Sequence, residues 1–183
     1  MSEILFVRYC SPTLAGLKPG SMFSSSYETM EELTKYVESS NRTLGPKGVR
    51  VVILRCGDGR ALIYVFRPTA VQKVLQDPRA VALLEKRGYE KMQVENCICT
   101  LASRIQQGGE FPHEVGLFLG YPPEDVEGFI ENKACNQKCV GCWKVYGDEE
   151  AAQKKFALYK KCTNVYCTQW EHGKSIERLT VAG

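Results

Sequence analysis

The sequence predicts an α+β (mixed α/β) fold, a single domain over residues 1–183 with a central sheet packed by several helices. Three observations carry this. Two β-rich apolar runs, Val49–Cys56 and Arg60–Arg67, flank Gly57-Asp58-Gly59, the pattern of a β-hairpin inside a covered sheet. Several other segments repeat apolar residues at helical spacing. The chain has 183 residues, 44% hydrophobic and 25% charged, enough to bury a core without staples.

In chain order, a short apolar start at Ile4–Val7 precedes a stretch from Cys10 to Ser26 that is rich in proline, glycine and serine and reads as a long ordered loop. Such loops present side chains and backbone amides from a rigid scaffold, so this one is expected to line the main cleft near His113. Tyr27–Ser40 reads as a helix through Met30, Leu33, Tyr36 and Val37. After the hairpin, Pro68 starts a helix that Asp77-Pro78 interrupts, and a second runs on to Gly88. Glu90–Gln107 is a further helix, with Val94, Cys97, Ile98, Leu101 and Ile105 on its apolar face. Pro112–Leu119 and Pro123–Asn132 read as short helices around Gly120. Trp143–Tyr146 reads as a strand, and Asp148 as the N-cap of a long helix. Ala152, Phe156, Tyr159, Cys162, Tyr166 and Trp170 fall on one side of that helix, at about 100° per residue. Ile176–Val181 reads as a last strand, giving a C-terminal strand-helix-strand unit that shares the hairpin's sheet.

Composition excludes several classes. The longest apolar run, Ala61–Phe66, is far below the roughly 18 residues of a membrane span, and the first residues lack signal-peptide features. The net charge of +3 is too small a bias for nucleic acid or an anionic membrane. A cytoplasmic protein without nucleic-acid or membrane partners is expected, its small-molecule or protein partner unspecified.

Cysteine is the anomaly. There are nine, five of them between Cys135 and Cys167. Cys135, Cys139 and Cys142 have the spacing that ligates three irons of a four-iron cluster. Radical enzymes that use this spacing carry an aromatic residue before the last cysteine, where Gly141 stands, and only 41 residues follow Cys142. A zinc site is the milder form, with Cys139-Val-Gly-Cys142 as a knuckle and Cys162 or Cys167 adding ligands. Cys162 is central on an apolar stripe and Cys167 lies about 140° round from it, so both reach one metal only if the helix distorts. Reduced, unliganded thiols are the plain alternative. A dithiol role for Cys139 and Cys142 lacks the usual context, because the pair precedes a strand instead of opening a helix.

Two further patterns are weighed. His113-Glu114 lacks the second histidine of a zinc protease, Leu117 standing there instead; Cys10 and His113 are the candidate nucleophile and base. Residues 115–130 have a helix-turn-helix rhythm, but Glu124, Asp125, Glu127 and Glu131 would repel phosphate, so the segment reads as a helical hairpin or interaction module.

The segments Cys10-Ser-Pro-Thr-Leu-Ala-Gly-Leu-Lys18, Phe111-Pro-His-Glu-Val-Gly-Leu-Phe-Leu-Gly-Tyr-Pro-Pro-Glu-Asp-Val-Glu-Gly-Phe-Ile130 and Trp143-Lys-Val-Tyr146 resemble a family of clostridial and related Firmicutes proteins whose domain is of unknown function. The resemblance covers nearly the whole chain. It implies a single-domain cytosolic protein of an anaerobe, and it carries over no activity and no site residues. The expected functions are a metal- or redox-linked protein using the Cys135–Cys142 region, or a small-molecule-binding protein or Cys/His enzyme with its site in the loop at residues 10–26 facing His113 and Tyr121.

Overall fold

The computed structural model describes residues 3–183. Its main sheet is a three-stranded antiparallel one in the order β1-β3-β2, built from β1 (Gly20–Ser26), β2 (Arg50–Gly57) and β3 (Arg60–Phe66). The expected hairpin is β2–β3, and Asp58 and Gly59 both take positive φ at its turn, where a right-twisted two-strand ribbon needs them. Alternation along β3 sends Ile63 and Val65 to one face and Leu62, Tyr64 and Phe66 to the other. The sheet is thus covered on both faces, which explains why these runs are apolar at nearly every position.

One face is covered by α1 (Glu3–Leu14) and α2 (Met30–Leu44), with Phe6, Cys10, Leu14, Leu33 and Leu44 packed on Val51, Ile63 and Val65. Thr29 caps α2 by accepting from the Glu32 N–H at 3.1 Å. On the opposite face lie α3 (Pro68–Val74), α4 (Pro78–Glu85) and α5 (Val94–Gln106), followed by α6 (Val115–Phe118) and α7 (Pro123–Glu131). Asp77 caps α4 through the Arg79 N–H at 2.8 Å, and the five residues expected on the apolar face of α5 are all buried. The outer edge of β2 is occupied by side-chain amides. Asn41 donates to the Val51 carbonyl at 2.8 Å and accepts from the Val51 N–H at 2.9 Å, while Gln106 donates to the Leu54 carbonyl at 2.9 Å.

Two expectations are corrected. The stretch 10–26 is not a loop: it is the end of α1, a short connection and β1. Cys10, Ser11, Pro12, Thr13 and Leu14 are buried in that helix despite Pro12, so tertiary packing overrides local propensity. β1 fills the free edge of β3, with Met22 opposite Tyr64 on one face and Phe23 opposite Ile63 on the other. The C-terminal strand-helix-strand unit does not form. Lys144–Val145 (β5) pairs only with Cys139–Val140 (β4) in a separate two-stranded sheet, and Ile176–Leu179 is a helical turn, α9, capped by Ser175. Between them α8 (Glu149–Glu171) runs from its Asp148 cap along α1, with Ala152 and Tyr159 buried as the stripe requires.

A single guanidinium gathers the remote segments on the α1 side. Arg67, 4% exposed, donates to the carbonyls of Thr13 (2.7 Å), Leu14 (2.6 Å), Lys47 (3.2 Å) and Val181 (2.7 Å). The first two are terminal carbonyls of α1, the negative end of that helix, which favours a cation there.

Candidate functional site: an aromatic cleft

A cleft of about 330 Å³ opens between the 111–116 segment, α7 and the β4–β5 turn. Its walls are Phe111, His113, Tyr121, Phe129, Trp143 and Lys144. Each ring is held by a separate local device. Tyr121 stacks on Trp143 at 4.8 Å between centroids and 25° between planes, and Trp143 meets the edge of Phe156 from α8 at 4.5 Å and 77°. Gly141 makes this approach feasible, because a Cβ there would collide with the Phe156 ring. His113 packs edge-on against Phe129 at 4.8 Å, and its Nε2 lies 3.1 Å from Glu110 Oε1.

The floor is organised by a buried carboxylate. Asp125, 3% exposed and in the first turn of α7, accepts from Trp143 Nε1–H at 2.6 Å and from the Tyr146 and Gly147 N–H groups at 2.7 Å each. Three donors on one carboxylate meet its hydrogen-bonding needs without a cation and fix the indole on α7. Lys144 donates to the Ala134 carbonyl at 2.6 Å and lies 6.0 Å from the Phe129 ring centroid, within cation–π reach. Behind the wall, buried Glu114 accepts from Arg104 Nε–H at 2.6 Å and from the Tyr89 hydroxyl at 3.2 Å, both on Oε1; its Oε2 has no partner. Burial pushes the Tyr121 phenol up to about 12. Partial burial likewise raises the Cys142 thiol at the cleft rim, with Lys18 opposing the shift. The cleft therefore presents rings, a phenol and a thiol, with Lys144 as the cation on its wall and the Asp125 carboxylate at its floor occupied by its three donors.

Of the residues expected from sequence, His113, Tyr121 and Cys142 come together here. Cys10 does not join them: it is buried on the α1 face of the sheet among Phe6, Leu14 and Phe23, and burial drives its thiol far up. The 10–26 stretch does not line the cleft; it comes near through Lys18, whose Nζ lies 5.8 Å from the Tyr159 ring and whose ammonium pKa is lowered by burial. The four cysteines expected around a metal are dispersed. Cys135 is exposed on a turn at positive-φ residues 133, 134 and 136, Cys139 borders Glu149 and Gln153, Cys142 faces Lys18 and Tyr121, and Cys162 lies on α8. Among the described residues no group of three or more His, Cys, Asp or Glu is placed to hold a metal ion, and no disulfide links cysteines. The donor set thus does not fit a zinc ion or an iron–sulfur cluster. Sequence reasoning missed Phe111, Phe129, Lys144 and the role of Asp125. Their signal was the density of aromatic residues in the 111–130 and 143–146 motifs, and the acid was read only as a repellent of phosphate.

Fold and cleft together define an α+β protein with an aromatic recess beside, not within, its main sheet. The chain belongs to the family described as "Protein of unknown function (DUF3793)", whose model matches residues 6–180. No curated protein and no solved structure matches the chain.

Proposed function

We propose that this protein binds a small planar molecule in the aromatic cleft. The observation that carries the reading is the Tyr121–Trp143 stack facing Phe129 and Phe111 across a recess of about 330 Å³. That volume lies in the range of small-molecule sites, about 300–1,000 Å³, which are apolar with a few placed polar groups. Asp125 fixes the Trp143 indole on which Tyr121 stacks, so little ordering cost for that pair falls on binding. His113 and Lys144 supply the polar contacts that orient the ligand.

A small molecule suits the site better than nucleic acid, because α7 on the cleft wall carries Glu124, Glu127 and Glu131. Among the described residues no helix is long and apolar enough to cross a membrane. The buried thiols Cys10 and Cys97 suit a reducing compartment, which supports a cytoplasmic setting.

The test is isothermal titration calorimetry with 2-naphthol as a planar probe. Saturable binding is expected, weakened about tenfold or more in Phe129→Ala and Tyr121→Ala proteins that keep their circular dichroism. Absence of binding at millimolar probe, or equal affinity in both variants, would sink the reading.

A further inference from the structure

We infer that the ligand of this cleft carries a phosphate-type oxyanion, held by Arg55 and Arg60 beyond the Phe111 wall. The inference rests on the cleft reading above and names its ligand class.

β2 pairs with β3 as Ile53↔Ile63 and then Arg55↔Leu62, so Leu54 is an extra residue, a β-bulge. Residues directly opposite one another share a face of the sheet. The slip therefore puts Arg55 on the face of Leu62 and Tyr64, the face toward α5 and α6. In an unbroken register Leu54 would oppose Leu62, and Arg55 would oppose Ala61 on the α1 face. Re-aiming one side chain is what a bulge does beside functional sites. Here it is pinned, because Gln106 of α5 donates to the Leu54 carbonyl at 2.9 Å.

Arg60 lies two residues from Leu62, opposite Gly57 on β2 and Ser26 on β1, and so on the same face. Its Nε donates to Ser24 Oγ at 3.3 Å. Ser24, Arg55, Arg60 and Phe111 border an open depression of about 480 Å³, and Phe111 also walls the aromatic cleft. One ligand can therefore span both over a single ring.

Charge decides the chemistry. The carboxylate bordering the depression, Asp58, is not within ion-pair distance of either arginine, and neither has another carboxylate partner among the described residues. Of the other arginines near the cleft, Arg104 is engaged by Glu114 and Arg79 by Glu124 and Glu127, while Arg87 borders a separate depression with Glu110 and Lys133, away from the Phe111 ring. Two guanidinium groups without a carboxylate partner, Arg60 on the central strand with the Ser24 hydroxyl beside it and Arg55 on the strand beyond, match an oxyanion with three terminal oxygens, whereas a carboxylate would occupy one fork.

The experiment compares 2-naphthyl phosphate, 2-naphthol and inorganic phosphate by calorimetry at fixed ionic strength. The proteins are wild type, an Arg55→Gln/Arg60→Gln double variant, and Lys160→Gln, exposed on α8, as a control for general surface charge. The phosphate ester should bind about tenfold tighter than the alcohol in the wild type and the control. In the double variant that advantage should fall below about twofold, with 2-naphthol affinity unchanged. Equal affinities in the wild type, or an advantage that survives the double variant, would overturn the inference and leave the aromatic cleft standing. Arginine-dependent binding of inorganic phosphate without 2-naphthol binding would overturn the cleft reading and retain the oxyanion site. Binding of no probe would overturn both.

Discussion

Arg67 and Asp125 are buried ions of opposite sign, each held mainly by main-chain groups, and they organise different parts of the molecule. Arg67 ties together segments that are far apart in sequence: the end of α1, the turn at Lys47 and the tail at Val181. Asp125 ties α7 to residues 143–147, about 20 positions away, and one of its three donors, the Trp143 indole, is a wall of the cleft. One ion closes the fold on itself; the other holds an opening in shape. Stability and binding are therefore carried by separate polar centres on the two sides of the sheet.

The largest effect should come from Arg67→Met. It removes four hydrogen bonds, leaving the Thr13 and Leu14 carbonyls the Gly16 and Val181 N–H groups but taking the donor from the Lys47 and Val181 carbonyls. It should cost about 2–4 kcal/mol in denaturant unfolding. The surviving folded protein should bind 2-naphthol as the wild type does. A loss below about 1 kcal/mol would show that the α1 side does not depend on this guanidinium.

Asp125→Asn should cost about 1–3 kcal/mol, because the new amide cannot accept from all three donors. Its signature differs from that of Arg67→Met. Amide exchange should speed up at Tyr146 and Gly147 and remain slow in β3, and 2-naphthol affinity should drop. Uniform acceleration through β3 would break the distinction between a local and a global centre.

Alkaline pH sharpens the contrast, since each face of the sheet buries a thiol. Burial raises the Cys97 thiol from 9.0 to about 11 and raises Cys10 further. Above pH 9 the unfolded chain loses these protons while the folded one keeps them. The unfolded state then binds fewer protons, so stability falls as pH rises. For Cys97 the decline should run from about pH 9 to 11, and Cys10→Ala should remove more of the total loss than Cys97→Ala. Unfolding curves at pH 8 and 10 in reductant check this; a flat profile would contradict it.

The smallest effect should be that of Cys139→Ser/Cys142→Ser, within about 0.5 kcal/mol of wild type, because neither thiol is fully buried. Purified wild-type protein should carry less than stoichiometric zinc and iron by elemental analysis. One equivalent of metal lost in the double variant would reinstate a metal role for that turn.

The parts of this arrangement that were legible in the sequence are those where local chemistry and tertiary need agree. The β2–β3 hairpin has β-branched residues and a glycine turn, and the stripe of α8 keeps its phase from Ala152 to Trp170. Where they disagree, sequence reading failed. Cys10-Ser-Pro-Thr has the composition of a loop but is helical, because the sheet needs Cys10 and Leu14 as cover. Met22-Phe-Ser-Ser-Ser26 has two apolar residues and becomes a strand because β3 has an open edge. Of the site, His113 and Tyr121 were legible as neighbours in one motif. Phe111 and Lys144 were not, since their meeting depends on how α7 places the β4–β5 turn.

The amide of Asn41 has a consequence for how copies of this protein meet. It occupies both outward-facing main-chain groups of Val51, with Gln106 taking the carbonyl of Leu54. A strand from a second molecule would have to displace three hydrogen bonds before adding its own to β2. Polymerisation through that border is therefore discouraged by ordinary side chains and not by charge, and Asn41→Ala would unlock it.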